Sequence, residues 1–165
     1  MHDLVITGGS VVDGTGAPAR TADVAVTDGV ITEVHGRTVS ILLGFQTFHP
    51  FNFTPAWGET GLGLLPWDEQ VRRIQSEPDL RARLIAEVAA LTDDPIIQGF
   101  MHPDRIYVLG DPPDYEPGHA ESVTGLAAAT GGDRWAKLLE LMLADGGREL
   151  LNSPVANYSH GNLDS

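Results

Sequence analysis

The sequence contains no cysteine. Disulfides, thiolate nucleophiles and zinc–thiolate centres are thereby excluded, and the composition fits a reducing compartment, with the cytoplasm as the expected location. Basic residues are scarce: 10 Lys and Arg stand against 23 Asp and Glu, for a formal charge of −13. No cluster of Lys and Arg interrupts this to cradle a phosphate backbone, so nucleic acid is not an expected partner. No apolar run approaches the ~20 residues needed to cross a bilayer, and no membrane association is expected. Residues 1–6, Met-His-Asp-Leu-Val-Ile, lack the basic flank and apolar core of a secretory signal.

Close pairs of metal-ligating histidines are also missing. The six histidines, His2, His35, His49, His102, His119 and His160, stand singly, with no His-x-His or His-x-x-x-His among them. A hydrolytic zinc site needs three or more ligands converging on one ion, usually including such a pair. There is no Gly-x-Ser-x-Gly elbow for a serine hydrolase, and Gly8-Gly9-Ser10 lies between strands instead of before a helix. Gly14-Thr15-Gly16-Ala17-Pro18 lacks the lysine and following helix of a phosphate loop and reads as a turn.

What remains is a globular composition, 42% hydrophobic and 20% charged, with 19 Gly and 11 Pro marking many turns. Residues 3–7 and 10–13 read as short strands. Residues 22–27 and 30–34 are rich in β-branched side chains, and Asp28-Gly29 between them suits a type I′ hairpin turn. Residues 39–45 form an apolar run expected as a buried strand of a parallel sheet. Residues 49–67, with prolines, glycines and several aromatics but no period, read as a long loop. Helices are predicted over residues 67–75, 77–91 with Ser76 as its cap, 122–130, and 133–144 with Asp133 as its cap. Further strands are predicted over residues 106–109 and 149–153. The fold class is therefore α/β.

His49 and His160 are the best histidine candidates for a site, because each lies where a strand gives way to a loop. Phe45, Phe48, Phe51, Phe53 and Trp57 either line an apolar pocket or form the buried underside of the loop. Asp111, Asp114 and Glu116, in one proline-rich loop, either hold a hard cation through oxygen or are simply solvated.

Two stretches resemble one family. The opening Asp3-Leu4-Val5-Ile6-Thr7-Gly8-Gly9-Ser10-Val11-Val12-Asp13-Gly14-Thr15-Gly16 is similar to the start of amidohydrolase-superfamily enzymes. Leu43-Gly44-Phe45-Gln46-Thr47-Phe48, Leu109-Gly110-Asp111-Pro112-Pro113-Asp114-Tyr115-Glu116-Pro117 and Asn157-Tyr158-Ser159-His160-Gly161-Asn162-Leu163-Asp164 resemble the interior of the D-aminoacylase branch, the N-acyl-D-amino-acid deacylases. The resemblance implies strands of a small β-sandwich over residues 1–35 and a partial (β/α) barrel over 36–165. It implies a zinc-dependent hydrolase that cleaves the amide bond of N-acyl-D-amino acids, with His49, Tyr158 and His160 as the residues expected to line the substrate.

The family's ligand-bearing segments fall elsewhere. Its Pro-Gly-Phe-x-Asp-x-His-x-His-type strand end and later histidines belong where His35-Gly36-Arg37 joins the two stretches directly. Its Ser-Asp-Gly-Gly-Ala-His-like segment with the catalytic aspartate belongs after Ser165. No catalytic or metal-binding residue is thus carried over, and this chain alone is expected to bind no zinc and to be inactive. Closing a barrel takes about 200 residues or more, so residues 36–165 are too few for one. Sheet edges left uncovered predict self-association.

Overall fold

The computed structural model describes residues 3–12, 18–35, 39–91, 93–110 and 117–156. It contains helices and two small open sheets of three strands each.

The first sheet is an antiparallel meander of β1 (Leu4–Val11), β2 (Arg20–Thr27) and β3 (Val30–His35), in that spatial order. Asp28 and Gly29 have φ of 53° and 75°, the positive values that the expected type I′ turn requires at both central positions. The two short strands read separately at residues 3–7 and 10–13 are joined in the one strand Leu4–Val11, with Asp13 outside the described residues. Gly8, at φ 61°, lets the chain kink between Ile6 and Gly9 without leaving the sheet. The Asp23 carboxylate accepts the Gly8 N–H at 2.7 Å, and the Asp3 carboxylate accepts the Asp28 N–H at 2.5 Å.

Register places Leu4 opposite Val26, Ile6 opposite Val24, and Val26 opposite Ile31, so one face of this sheet is apolar. Leu4, Ile6 and Ile31 nevertheless remain 53%, 47% and 62% exposed.

The second sheet has the order β4-β6-β5, with β4 (Val39–Leu43), β5 (Tyr107–Val108) and β6 (Leu151–Ala156). Both pairings are antiparallel, whereas the apolar run from residue 39 was expected in a parallel sheet. A short apolar run reports burial, not strand direction, and its partner here returns more than a hundred residues later. Pro154 lies within the central strand. It sits opposite Ser40 beside a register irregularity, two residues past the last partner of β5, where a missing N–H is tolerated.

The helices are α1 (Pro55–Glu59), α2 (Trp67–Ser76), α3 (Pro78–Ala89), α4 (Pro95–Phe100), α5 (Val123–Thr130) and α6 (Arg134–Met142). Asp133 caps α6 by accepting the Ala136 N–H at 2.8 Å, as its position predicts. Ser122 caps α5 through the Gly125 N–H, and Gly131 ends it in the left-handed conformation. Ser76 does not cap α3. It closes α2 with its hydroxyl on the Arg73 carbonyl, and Glu77 occupies the cap position without a side-chain capping bond, its carboxylate instead accepting from Arg73 Nε at 2.8 Å. The segment read as a loop over residues 49–67 is built of short helical turns over 50–53, 55–59 and 62–64.

Leu43 and Leu151 from the second sheet, Phe51 and Trp57, Ile74, Leu84 and Val88, and Leu138, Leu139 and Met142 form one core. The stripe predicted for α3 buries Leu80, Leu84 and Val88, and α6 buries Trp135, Leu138, Leu139 and Met142. No residue before Ile41 belongs to this core among the described residues. No helix of the described residues is long and apolar enough to cross a membrane.

Candidate functional site

His49 follows β4 across a tight turn. The Gly44 N–H donates to the Phe48 carbonyl at 3.2 Å, and the Thr47 hydroxyl donates to the Leu42 carbonyl at 2.9 Å. The turn folds the chain back onto the core and carries His49 inward, where it is 1% exposed. Three aromatic rings enclose the imidazole: Trp57 edge-on at 4.7 Å, Phe45 edge-on at 5.1 Å and Phe51 tilted at 5.8 Å between centroids. The other two aromatics of the segment, Phe48 and Phe53, face outward. Three of the five thus form the underside of the segment, and they enclose a histidine.

The His49 backbone N–H donates to Asn52 Oδ1 at 2.8 Å, and Asn52 Nδ2 lies 3.4 Å from His49 Nε2. With Nε2 accepting from this amide, the neutral ring carries its proton on Nδ1, which has no hydrogen-bond partner. Burial pulls the pKa of His49 down to about 3, so the ring is neutral at physiological pH. A residue expected to line a substrate site is therefore enclosed among carbon atoms. Tyr158 and His160, expected beside it, lie outside the described residues, as do Asp111, Asp114 and Glu116.

A second polar cluster joins the turn at residues 103–105 to α5 and α6. Asp104 Oδ1 accepts the Thr124 hydroxyl at 2.5 Å and lies 3.8 Å from Arg134 Nη1, while Oδ2 lies 3.2 Å from His102 Nδ1. His102 Nδ1 is also 3.4 Å from the Asp104 N–H, and one nitrogen cannot donate and accept together. The shorter contact favours the tautomer with the proton on Nδ1, bonded to the carboxylate. Partial burial against Trp135 lowers the His102 pKa, and Asp104 opposes that shift. The arrangement contains a hydroxyl, a carboxylate and an imidazole, but the hydroxyl is bonded to the carboxylate and not to the base. Thr124 is therefore not activated as a nucleophile, and the cluster acts as a staple between elements. Only its local half, His102-Pro103-Asp104, is readable along the chain, because Thr124 comes from twenty residues away.

A groove of about 230 Å³ is lined by Tyr107, Val108, Pro117, Glu121 and Leu126. Its carboxylate, Glu121, caps its own turn by accepting the Gly118 N–H at 2.7 Å. Burial raises the pKa of Tyr107 and keeps its phenol protonated.

These groups do not fit the zinc implied by the resemblance. No three His, Asp or Glu side chains converge among the described residues, and the His49 ring is walled in by aromatic carbon. No family model, curated protein or solved structure matches the chain.

Proposed function

We propose that this chain is related to the N-acyl-D-amino-acid deacylases of the amidohydrolase superfamily and that by itself it does not hydrolyse amides. The observation that carries this reading is the place where the fold divides. The first sheet ends at His35 and the second begins at Val39, and between them lies the junction at which the two family-like stretches meet. In this reading the first sheet corresponds to sandwich strands, and the remainder to part of a (β/α) barrel whose strands pair antiparallel when parallel neighbours are lacking. The substrate class of the family is a small N-acyl amino acid, and the location is cytoplasmic.

Inactivity rests on the donor set, since an amide-cleaving zinc requires converging ligands and an open position. The test is the zinc content of the purified chain together with turnover of an N-acetyl-D-amino acid. Substoichiometric metal and no turnover are expected. One zinc per chain with activity would overturn the reading.

A second reading, a non-catalytic α/β unit acting through association, is favoured by one specific observation. β1 is an outer strand without charge or proline, and Leu4, Val5 and Ile6 are about half exposed on it. Light scattering distinguishes the two readings: concentration-dependent oligomers support association, and a monodisperse monomer excludes it.

A further inference from the structure

His49 is the one histidine among the described residues enclosed in the core, and its position in the fold gives it leverage. Residues 44–60 run as a strap from the end of β4 across the core to α1, inserting Phe45, Phe51 and Trp57 around the imidazole. We propose that His49 is an acid-sensitive latch, whose protonation releases the strap over residues 45–60 from the core and exposes Phe45, Phe51 and Trp57.

The geometry supplies the reason. A charged imidazole donates from both nitrogens, yet Nδ1 has no hydrogen-bond partner and the group at Nε2 is the Asn52 amide nitrogen, itself a donor; the His49 main chain opposes the effect of burial only in part. Protonation would therefore place two donors against one another at Nε2 and a charge among three aromatic rings.

The charged groups on the elements packed here lie to the outer side and are engaged with one another. Arg83 Nε donates to Glu87 Oε1 at 2.7 Å, Arg83 also pairs with Glu59, and Glu87 Oε2 accepts the Ala56 N–H at 2.6 Å. The turns over 44–48 and 50–53 carry no ionisable side chain besides His49 itself. No carboxylate is paired with the ring among the described residues, and the His49 main chain offsets its charge by less than burial penalises it.

The depressed pKa sets the range. Above the ordinary histidine value of about 6.5 the closed strap is fully favoured, and below it each opening takes up one proton until about pH 3. The population of the open state then rises by approaching ~10-fold per pH unit between pH 6 and 4.

Hydrogen exchange of the whole chain tests this, with protection corrected for intrinsic exchange at pH 7, 6 and 5. The amides of residues 45–60 are expected to be less protected than those of α6 at every pH and to lose protection ~10-fold per unit below pH 6. His49→Phe, an apolar ring in an aromatic box, is expected to abolish that dependence. Unchanged protection in the wild type, protection of residues 45–60 equal to that of α6, or the same dependence in His49→Phe would overturn the proposal. Should His49→Phe fail to fold, the wild-type profile decides alone, by whether residues 45–60 open before α6.

Discussion

Gly147 lies directly against Val71 of α2: a Cβ on Gly147 would sit 2.4 Å from Val71 Cγ2. The same glycine has φ +85°, so both the space and the backbone conformation are reserved for a residue without a side chain. Gly147→Ala is expected to destabilise the fold by about 2–4 kcal/mol, combining overpacking with left-handed strain. Urea denaturation measures it, and a midpoint within error of wild type would show that α2 can yield.

Glu87 ties α3 to the first turn of α1 by accepting the Ala56 N–H at 2.6 Å. Ala56 is fully buried, so Glu87→Ala leaves that N–H without its partner and is expected to cost about 1–3 kcal/mol. Glu87→Gln retains an acceptor and should recover part of the loss. Equal destabilisation by the two substitutions, measured by denaturant titration, would assign the effect to the Arg83 ion pair instead.

Leu139 and Leu64 are the same residue type in opposite settings, 0% and 90% exposed. Leu139→Ala removes methyl groups from the centre of α6 packing and is expected to cost about 2–5 kcal/mol. Leu64→Ala is expected to stay within about 0.5 kcal/mol of wild type. Thermal melts of both variants check the assigned core, and a reversed order would refute it.

His49 also imposes a pH dependence on global stability, with a definite sign. Its folded pKa lies below its unfolded value, so the unfolded chain binds the proton more readily. The contribution is complete above about pH 6.5 and is lost as the pH falls towards 3. Between pH 7 and 5.5 the loss from this residue is roughly 1 kcal/mol. Comparing unfolding free energies of wild type and His49→Phe at the two pH values isolates it, because the carboxylates are common to both.

Much of the secondary structure was legible along the chain. The Asp28-Gly29 turn, the Asp133 cap and the apolar spacing of Leu80, Leu84 and Val88 each express a local rule, and each was found where the rule placed it. The failures were non-local. The direction of β4 depends on β6, which is distant in sequence, and the turns over 50–64 carry too few residues to show a helical period. α4 was missed for the same reason, although Asp94 before Pro95 is a cap signal.

The site was less legible than the fold. His49 stood out because it ends a strand, yet nothing in the sequence distinguishes an imidazole facing substrate from one enclosed by Phe45, Phe51 and Trp57. Burial is a property of the assembled core, and two of those three rings lie downstream of the histidine they enclose. Asp104 and Thr124 likewise meet only when α5 docks on the preceding turn.

The apolar core begins at Ile41, and no described residue of the meander of β1 to β3 belongs to it. All three tryptophans, Trp57, Trp67 and Trp135, likewise lie past Ile41. Their fluorescence therefore reports on the core alone, and melting of the meander leaves that signal silent.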